Sequence, residues 1–235
     1  MSDDFEFPEF IEEKISYLDK LKNITEVAIY PQELVVLPYE TMTLKVTDAN
    51  FQQLLSDSKG DDAHLGIAPQ LKGGGLPAIG SIGVGADVEE INPMLGKTHL
   101  VKIRGVVRFT IDEYIETDKP YPMARITFFE DDAKPKPGEK EFRSVLFEEL
   151  RELMGEYNRN HGKYKHLENL ADSLKEKHLE AYSFFFWIAC FSSMPAELRE
   201  TLLRSRSTAN RTYVLNRQLE RTLAKLDKIK PANLN

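Results

Sequence analysis

The sequence predicts an α+β protein: a curled antiparallel β-sheet domain followed by a small α-helical bundle. Three observations carry this prediction. Period-two alternation of apolar and polar residues runs through much of 24–130, as half-buried strands require. After residue 143 the apolar spacing becomes 3.6. Between the two, the stretch from Asp131 to Lys140 holds no apolar side chain larger than alanine and includes Pro135 and Pro137, which marks a linker. The expected organisation is therefore an N-terminal helix in 1–23, a β-domain in 24–130, a linker in 131–143 and a helical bundle in 144–235.

Taken in order, Phe10, Ile11, Ile15, Leu18 and Leu21 recur at three- to four-residue steps, which predicts an amphipathic helix over 9–21. Short apolar runs broken by Gly and Pro follow: Leu34-Val35-Val36-Leu37, Leu65-Gly66-Ile67 and Ile79-Gly80-Ser81-Ile82. Longer alternating runs are Leu100 to Arg104, Val106 to Ile111 and Met123 to Phe129. Val101 and Ile103 face one way, Lys102 and Arg104 the other; Val107, Phe109 and Ile111 share a face opposite Arg108 and Thr110. A single helix near Ala49 to Leu55 interrupts these strands. Many short strands with turn signals predict a sheet curled into a barrel or sandwich. The Pro69 to Pro77 loop, with Gly73-Gly74-Gly75, is expected to be mobile.

In the second half, Leu146, Leu150, Leu153, Met154 and Tyr157 form one helical stripe. Leu167, Leu170, Leu174, His178, Ala181, Phe185, Ile188 and Ser192 form another. Pro195 opens a third helix with Leu198, Leu202 and Leu203 on its apolar face. A fourth, capped by Ser207 or Thr208, carries Leu215, Leu219, Thr222, Leu223 and Leu226. Helices with short connections point to a bundle.

The 235 residues, at 26.9 kDa and 41% hydrophobic, can bury a core without disulfides or a structural metal. Composition excludes collagenous, disordered and disulfide-framework classes. The net charge of −7 argues against bulk nucleic-acid binding, which relies on neutralising phosphates. Charge is uneven: residues 1–62 carry a net −9 and residues 199–230 a net +6. The basic stretch reads as a solvated helix face or as a contact for RNA or an acidic partner. The lone Cys190 sits among apolar residues and reads as an inert core thiol. Met1-Ser2-Asp3-Asp4 lacks the basic-then-apolar pattern of a signal peptide, and the longest apolar run is shorter than the ~20 residues of a membrane span. A cytoplasmic protein is expected.

Gly96-Lys97-Thr98 ends like a phosphate-binding loop, but that loop needs a glycine where Ile91 stands, so a hairpin turn is expected instead. Gly80, Gly83 and Gly85 have the reverse of dinucleotide-fingerprint spacing and read as positions of tight packing or a bulge. His64, His99, His161, His166 and His178 do not form a metal-ligating pattern, and His178 reads as a core histidine. There is no Gly-x-Ser-x-Gly elbow, and the carboxylates are too scattered to argue a glycosidase pair. No catalytic constellation, cofactor or metal is predicted.

The block Phe184-Phe185-Phe186-Trp187 sweeps most of a helix circumference, so its segment is expected to be buried nearly all round, or to floor an apolar groove for a peptide. Val27-Ala28-Ile29-Tyr30-Pro31, then Leu34-Val35-Val36-Leu37-Pro38, then Met42-Thr43-Leu44-Lys45-Val46 occur in an order that resembles the opening of the Lon protease N-terminal (substrate-binding) domain. Ile79-Gly80-Ser81-Ile82 and Gly105-Val106-Val107-Arg108-Phe109-Thr110-Ile111 resemble two further strands of that family. The positions that match its motifs are Tyr30, Pro31, Pro38, Gly80, Gly105, Arg108 and Phe109. Thr47-Asp48-Ala49-Asn50-Phe51 departs from the Glu-x-Arg-Tyr common in the family. The ATPase and Ser/Lys protease modules of full-length Lon have no counterpart in the 235 residues.

The resemblance implies a PUA-like curled sheet followed by helices, and contact with unfolded or degradation-bound polypeptide. Exposed strand edges and apolar grooves are the physical means for such contact. The expected function is non-enzymatic binding of unfolded or hydrophobic polypeptide, or of a partner protein. Phe109, Tyr121, Met123 and Trp187 are the candidate apolar contacts, although each also reads as a plain core residue. Arg108 is a candidate to fix the domain junction by a salt bridge. RNA binding by a PUA-like sheet and an unrecognised hydrolase are the alternatives, and homo-oligomerisation is compatible with all three.

Overall fold

In the computed structural model the described residues are 24–57, 64–70, 73–94, 98–131, 194–229 and helical positions scattered over 145–156. The expected 9–21 helix, the 167–192 stripe with the aromatic block, and Cys190 lie outside the described residues. Six strands and three helices are described: β1 (Glu26–Gln32), β2 (Thr41–Val46), α1 (Ala49–Asp57), β3 (His64–Pro69), β4 (Ile82–Met94), β5 (Thr98–Ile115), β6 (Met123–Phe128), α2 (Ala196–Arg204) and α3 (Thr208–Ile229).

The strands form one mixed sheet in the order β2-β5-β4-β3-β1-β6, and β6 pairs back onto β5. Five strands therefore close a ring, and β2 hangs on β5 outside it. The α+β class stands, with one correction to the antiparallel expectation: β1 and β3 pair in parallel, from Ala28↔Leu65 to Gln32↔Pro69. The reason is topological. The connection between them runs through β2 and α1, and a long crossover of this kind returns the chain in the same direction.

The 18-residue β5 does most of the assembly. Its first half pairs with β2 on one side and the distal half of β4 on the other. Its second half pairs with β4 up to Ile82 and with β6. The two sequence runs on either side of Gly105 are thus a single strand. The register shifts at Gly85/Ala86, leaving Val106 as the extra residue, and again at Ile111/Glu113. Such bulges bend a strand and let it serve two sheets.

Inside the ring, Val27, Ile29, Ala68, Phe109, Ile111, Ala124 and Ile126 make a core cluster. The Phe109 ring needs bare backbone beneath it. A Cβ on Gly83 would fall 2.6 Å from Phe109 Cζ and 2.8 Å from the Ile67 carbonyl oxygen, and one on Gly66 would meet Phe109 at 3.0 Å. Gly105 is constrained differently: a Cβ there would overlap the carbonyl oxygen of Leu37. The apolar run Leu34 to Leu37 is accordingly no strand but a loop docked across β5. Val35, Val36 and Leu37 are buried, Tyr39 N–H donates to Gly105 O at 2.9 Å, and Tyr39 takes a left-handed φ of 67°.

α1 begins at an Asp48 cap, whose carboxylate accepts from the amides of Asn50 (2.8 Å) and Phe51 (3.3 Å). Its Leu54 and Leu55 are buried, and Phe51 stacks on Tyr30 with ring centroids 4.1 Å apart. α2 follows Pro195 as expected, burying Leu202 and Leu203. The chain divides into two compact units, and α2 belongs to that of the strands while α3 belongs to the other. In that second unit Ser207 caps α3 by accepting from Asn210 N–H at 3.1 Å, and Leu215, Leu219 and Leu223 are buried. Arg211, also buried, donates to Asp131 (2.8 Å) and to the Ser205 carbonyl (2.7 Å).

Candidate polypeptide-binding site

An open apolar cleft lies in the strand unit. It is lined by Ile24, Val27, Gly85, Asp87, Val106, Val107, Phe109, Ile126 and Phe128. Its origin is local. The bulge at Val106 and the bare Gly85 opposite Val107 interrupt side-chain filling between β4 and β5.

Of the predicted apolar contacts, Phe109 lines this cleft while being itself fully buried. Tyr121 is 3% exposed, and its hydroxyl donates to Asp57 at 2.8 Å. That hydrogen bond, with one from Gln53, holds the Asp57 carboxyl below its ordinary pKa, while burial pushes the Tyr121 hydroxyl up. Met123 is half-buried at the start of β6, opposite Ala28 and Ile115. Trp187 lies outside the described residues. The structure thus brings Phe109 to the cleft and sets Tyr121 against α1. The lining residues Val107, Ile126 and Phe128 were visible in sequence only as members of alternating strands. Ile24 gave no signal there and Gly85 only that of tight packing or a bulge, because a cleft arises from what neighbouring strands fail to fill.

The motif positions mostly build the frame. Tyr30 is buried against α1, and burial raises its hydroxyl pKa. Pro31 lies in β1, opposite Ala68. Pro38 is buried in the loop that crosses Gly105. Gly80 adopts a φ of 83° and donates its N–H to the Ile111 carbonyl at 2.8 Å. Arg108, 1% exposed, points away from the Phe109 face. Its Nη1 donates to the carbonyl of Leu203 at 2.9 Å, and its guanidinium lies 4.9 Å from the Phe129 ring centroid. A cation at the C-terminal turn of α2 is favourably placed against the helix dipole. Arg199, at the other end of α2, donates to the Val35 carbonyl at 2.7 Å and pairs with Glu40, which also accepts from Leu37 N–H at 2.9 Å. Two buried arginines therefore hold α2 on the strand unit.

Among the described residues, no group of three or more His, Cys, Asp and Glu is arranged to hold a metal ion, and no helix is long and apolar enough to cross a membrane. The sequence matches the model of the ATP-dependent protease La (LON) substrate-binding domain over residues 26–221, and the chain belongs to that family.

Among solved structures it is similar to the N-terminal domain of Mycobacterium avium complex Lon protease, at 17% identity and a TM-score of 0.63, covering 83% of this chain and 98% of that one. It is also similar to a Lon N-terminal domain protein from Xanthomonas campestris, at 20% identity and a TM-score of 0.52, covering 86% of this chain and 98% of that one. At these identities the likeness is one of fold. A comparison with curated proteins found no match.

Proposed function

We propose that this protein binds unfolded or hydrophobic segments of other polypeptides, or a partner protein, without catalysing a reaction, and that it works in the cytoplasm. The observation that carries the reading is the open apolar cleft around Phe109 in a chain of a substrate-binding family. A single apolar contact of this kind is weak, so binding draws on several along an extended chain. The test is a titration of labelled, permanently unfolded polypeptide, read by fluorescence anisotropy. Saturable binding below ~100 µM, a free energy of about −5.5 kcal/mol or better, is expected. No binding at that concentration removes the proposal. The basic 199–230 stretch keeps RNA as a second ligand to assay. Binding to RNA would weaken steeply with salt, whereas apolar polypeptide binding would not.

A further inference from the structure

We propose that the outer edge of β2 receives a client segment as an added β-strand, and that the edge selects segments alternating apolar with acidic residues. The inference rests on the polypeptide-binding reading above and names a mode and a substrate class for it.

Among the described residues the strand unit has two open edges. Among the described residues, β2 pairs only with β5, and β4 beyond Asp87 likewise pairs only with β5. The β4 edge is guarded in three ways: Glu89 is an extra, bulged residue, Glu89 and Glu90 place charge along it, and Pro93 has no N–H to offer. These are the devices by which strands refuse a neighbour. The β2 edge has a continuous register from Thr41↔Arg104 to Val46↔His99 and no proline, and carries only one such device, the charge of Lys45.

Its backbone polarity follows from the ladder. Gly105 N–H donates to the Glu40 carbonyl at 2.9 Å, and antiparallel pairs alternate between bonded and non-bonded from there. Met42, Leu44 and Val46 therefore bond β5, and the N–H and C=O groups of Thr41, Thr43 and Lys45 turn to the open edge. Those three side chains are exposed, whereas Leu44 and Val46 are buried and Met42 is half-buried. An incoming strand thus meets an apolar side at Met42 and a polar side at Thr41, Thr43 and Lys45. On the polar side Lys102 and Arg104 lie behind β2 but are both ion-paired with Glu89 of β4, so Lys45 is the charged side chain on the edge itself. The charge nearest the edge is positive, and cross-strand pairs of opposite charge are favourable.

The experiment uses the full chain with a labelled ten-residue peptide alternating Val or Leu with Glu, its Lys counterpart, and the unfolded polypeptide used above. Thr43→Pro removes one outward N–H and blocks addition, yet leaves the bonds to β5 intact, the one setting in which a strand tolerates proline. The expected result is that wild type prefers the Glu peptide and that Thr43→Pro loses ~10-fold or more in affinity, a change of about 1.4 kcal/mol, with unchanged thermal unfolding. Lys45→Glu, a surface change that keeps the fold, is expected to invert the preference between the Glu and Lys peptides. Equal binding by Thr43→Pro and wild type, or an unaltered preference in Lys45→Glu, overturns the edge proposal. Wild type binding the unfolded polypeptide but neither peptide overturns it too, while leaving the polypeptide-binding reading in place; wild type binding nothing removes both. Sedimentation showing a peptide-free dimer that Thr43→Pro dissolves would assign the edge to a second copy of this chain and overturn the client assignment.

Discussion

The two halves of β5 solve different problems with one strand. From Gly105 onward it closes the ring, and fit is steric: Phe109 lies on the bare backbones of Gly66 and Gly83, and the Leu37 carbonyl occupies the space a side chain at Gly105 would need. From Thr98 to Arg104 it is the centre of an open three-stranded arm, where the requirement is only that Val101 and Ile103 face inward and Lys102 outward. Closure demands exact volumes at a few positions; an open arm demands a pattern and tolerates substitution within it.

That contrast is broken or sharpened by a graded set of variants. The largest effect is expected from Phe109→Ala, which empties the centre of the ring and should cost about 4 kcal/mol in urea unfolding; a loss under ~1 kcal/mol would mean the ring is not packed around this side chain. Gly105→Ala comes next. A rigid backbone carbonyl stands where the new methyl must go, so the loss should reach the top of the ~1–3 kcal/mol typical of overpacking. Gly85→Ala is its control. The added Cβ meets a Val107 methyl at 3.3 Å and the Val107 carbonyl oxygen at an ordinary 3.7 Å, and the change should stay near neutral, within about 0.5 kcal/mol.

Glu40→Ala should cost about 2 kcal/mol, below the ~3–5 kcal/mol of a fully buried pair because the carboxylate retains some exposure, and it leaves Arg199 and the Leu37 amide without their shared acceptor. Hydrogen exchange would locate that loss: amides of α2 should exchange faster while those of β6 do not.

The smallest effect is one of pH. Tyr114 donates to the Pro77 carbonyl at 2.8 Å, and burial pushes its pKa up to about 12. A folded pKa raised above the unfolded value of 10 contributes stability that is complete below pH 10 and is lost as pH rises toward 12. Tyr114→Phe should therefore flatten the alkaline fall in melting temperature between pH 10 and 12; an identical fall in both proteins would remove Tyr114 as its source.

Most elements of the strand unit were legible. Alternation located β5 and β6, and a helix near Ala49 stood where the pattern broke; of Gly80, Gly83 and Gly85, read as tight packing or a bulge, Gly83 packs under Phe109 and Gly85 sits at the bulge, while Gly80 is a turn of positive φ. Other features were legible only in part. The Leu34 to Leu37 run has the composition of a buried strand, yet its partner is the Gly105 backbone rather than a ladder. Arg108 alternates correctly with Phe109, but no local rule says that the outward face will be covered by a helix 95 residues further along the chain. Tyr121 looked like a contact surface because an aromatic residue near a strand end has no sequence mark distinguishing a ligand-facing ring from one that bonds Asp57.

By itself the sequence determined periodicity, caps, the glycines at close approaches and membership of a substrate-binding family, since each depends on residues within one element or on an ordered set of motifs. Only the tertiary structure decided that β1 and β3 run parallel, that α2 is clamped to the strands by Arg108 and Arg199, and which space between β4, β5 and β6 stays empty. The physical reason is that these depend on distances between residues far apart in the chain, and loop-closure entropy, packing volume and desolvation are settled only when the whole ring closes.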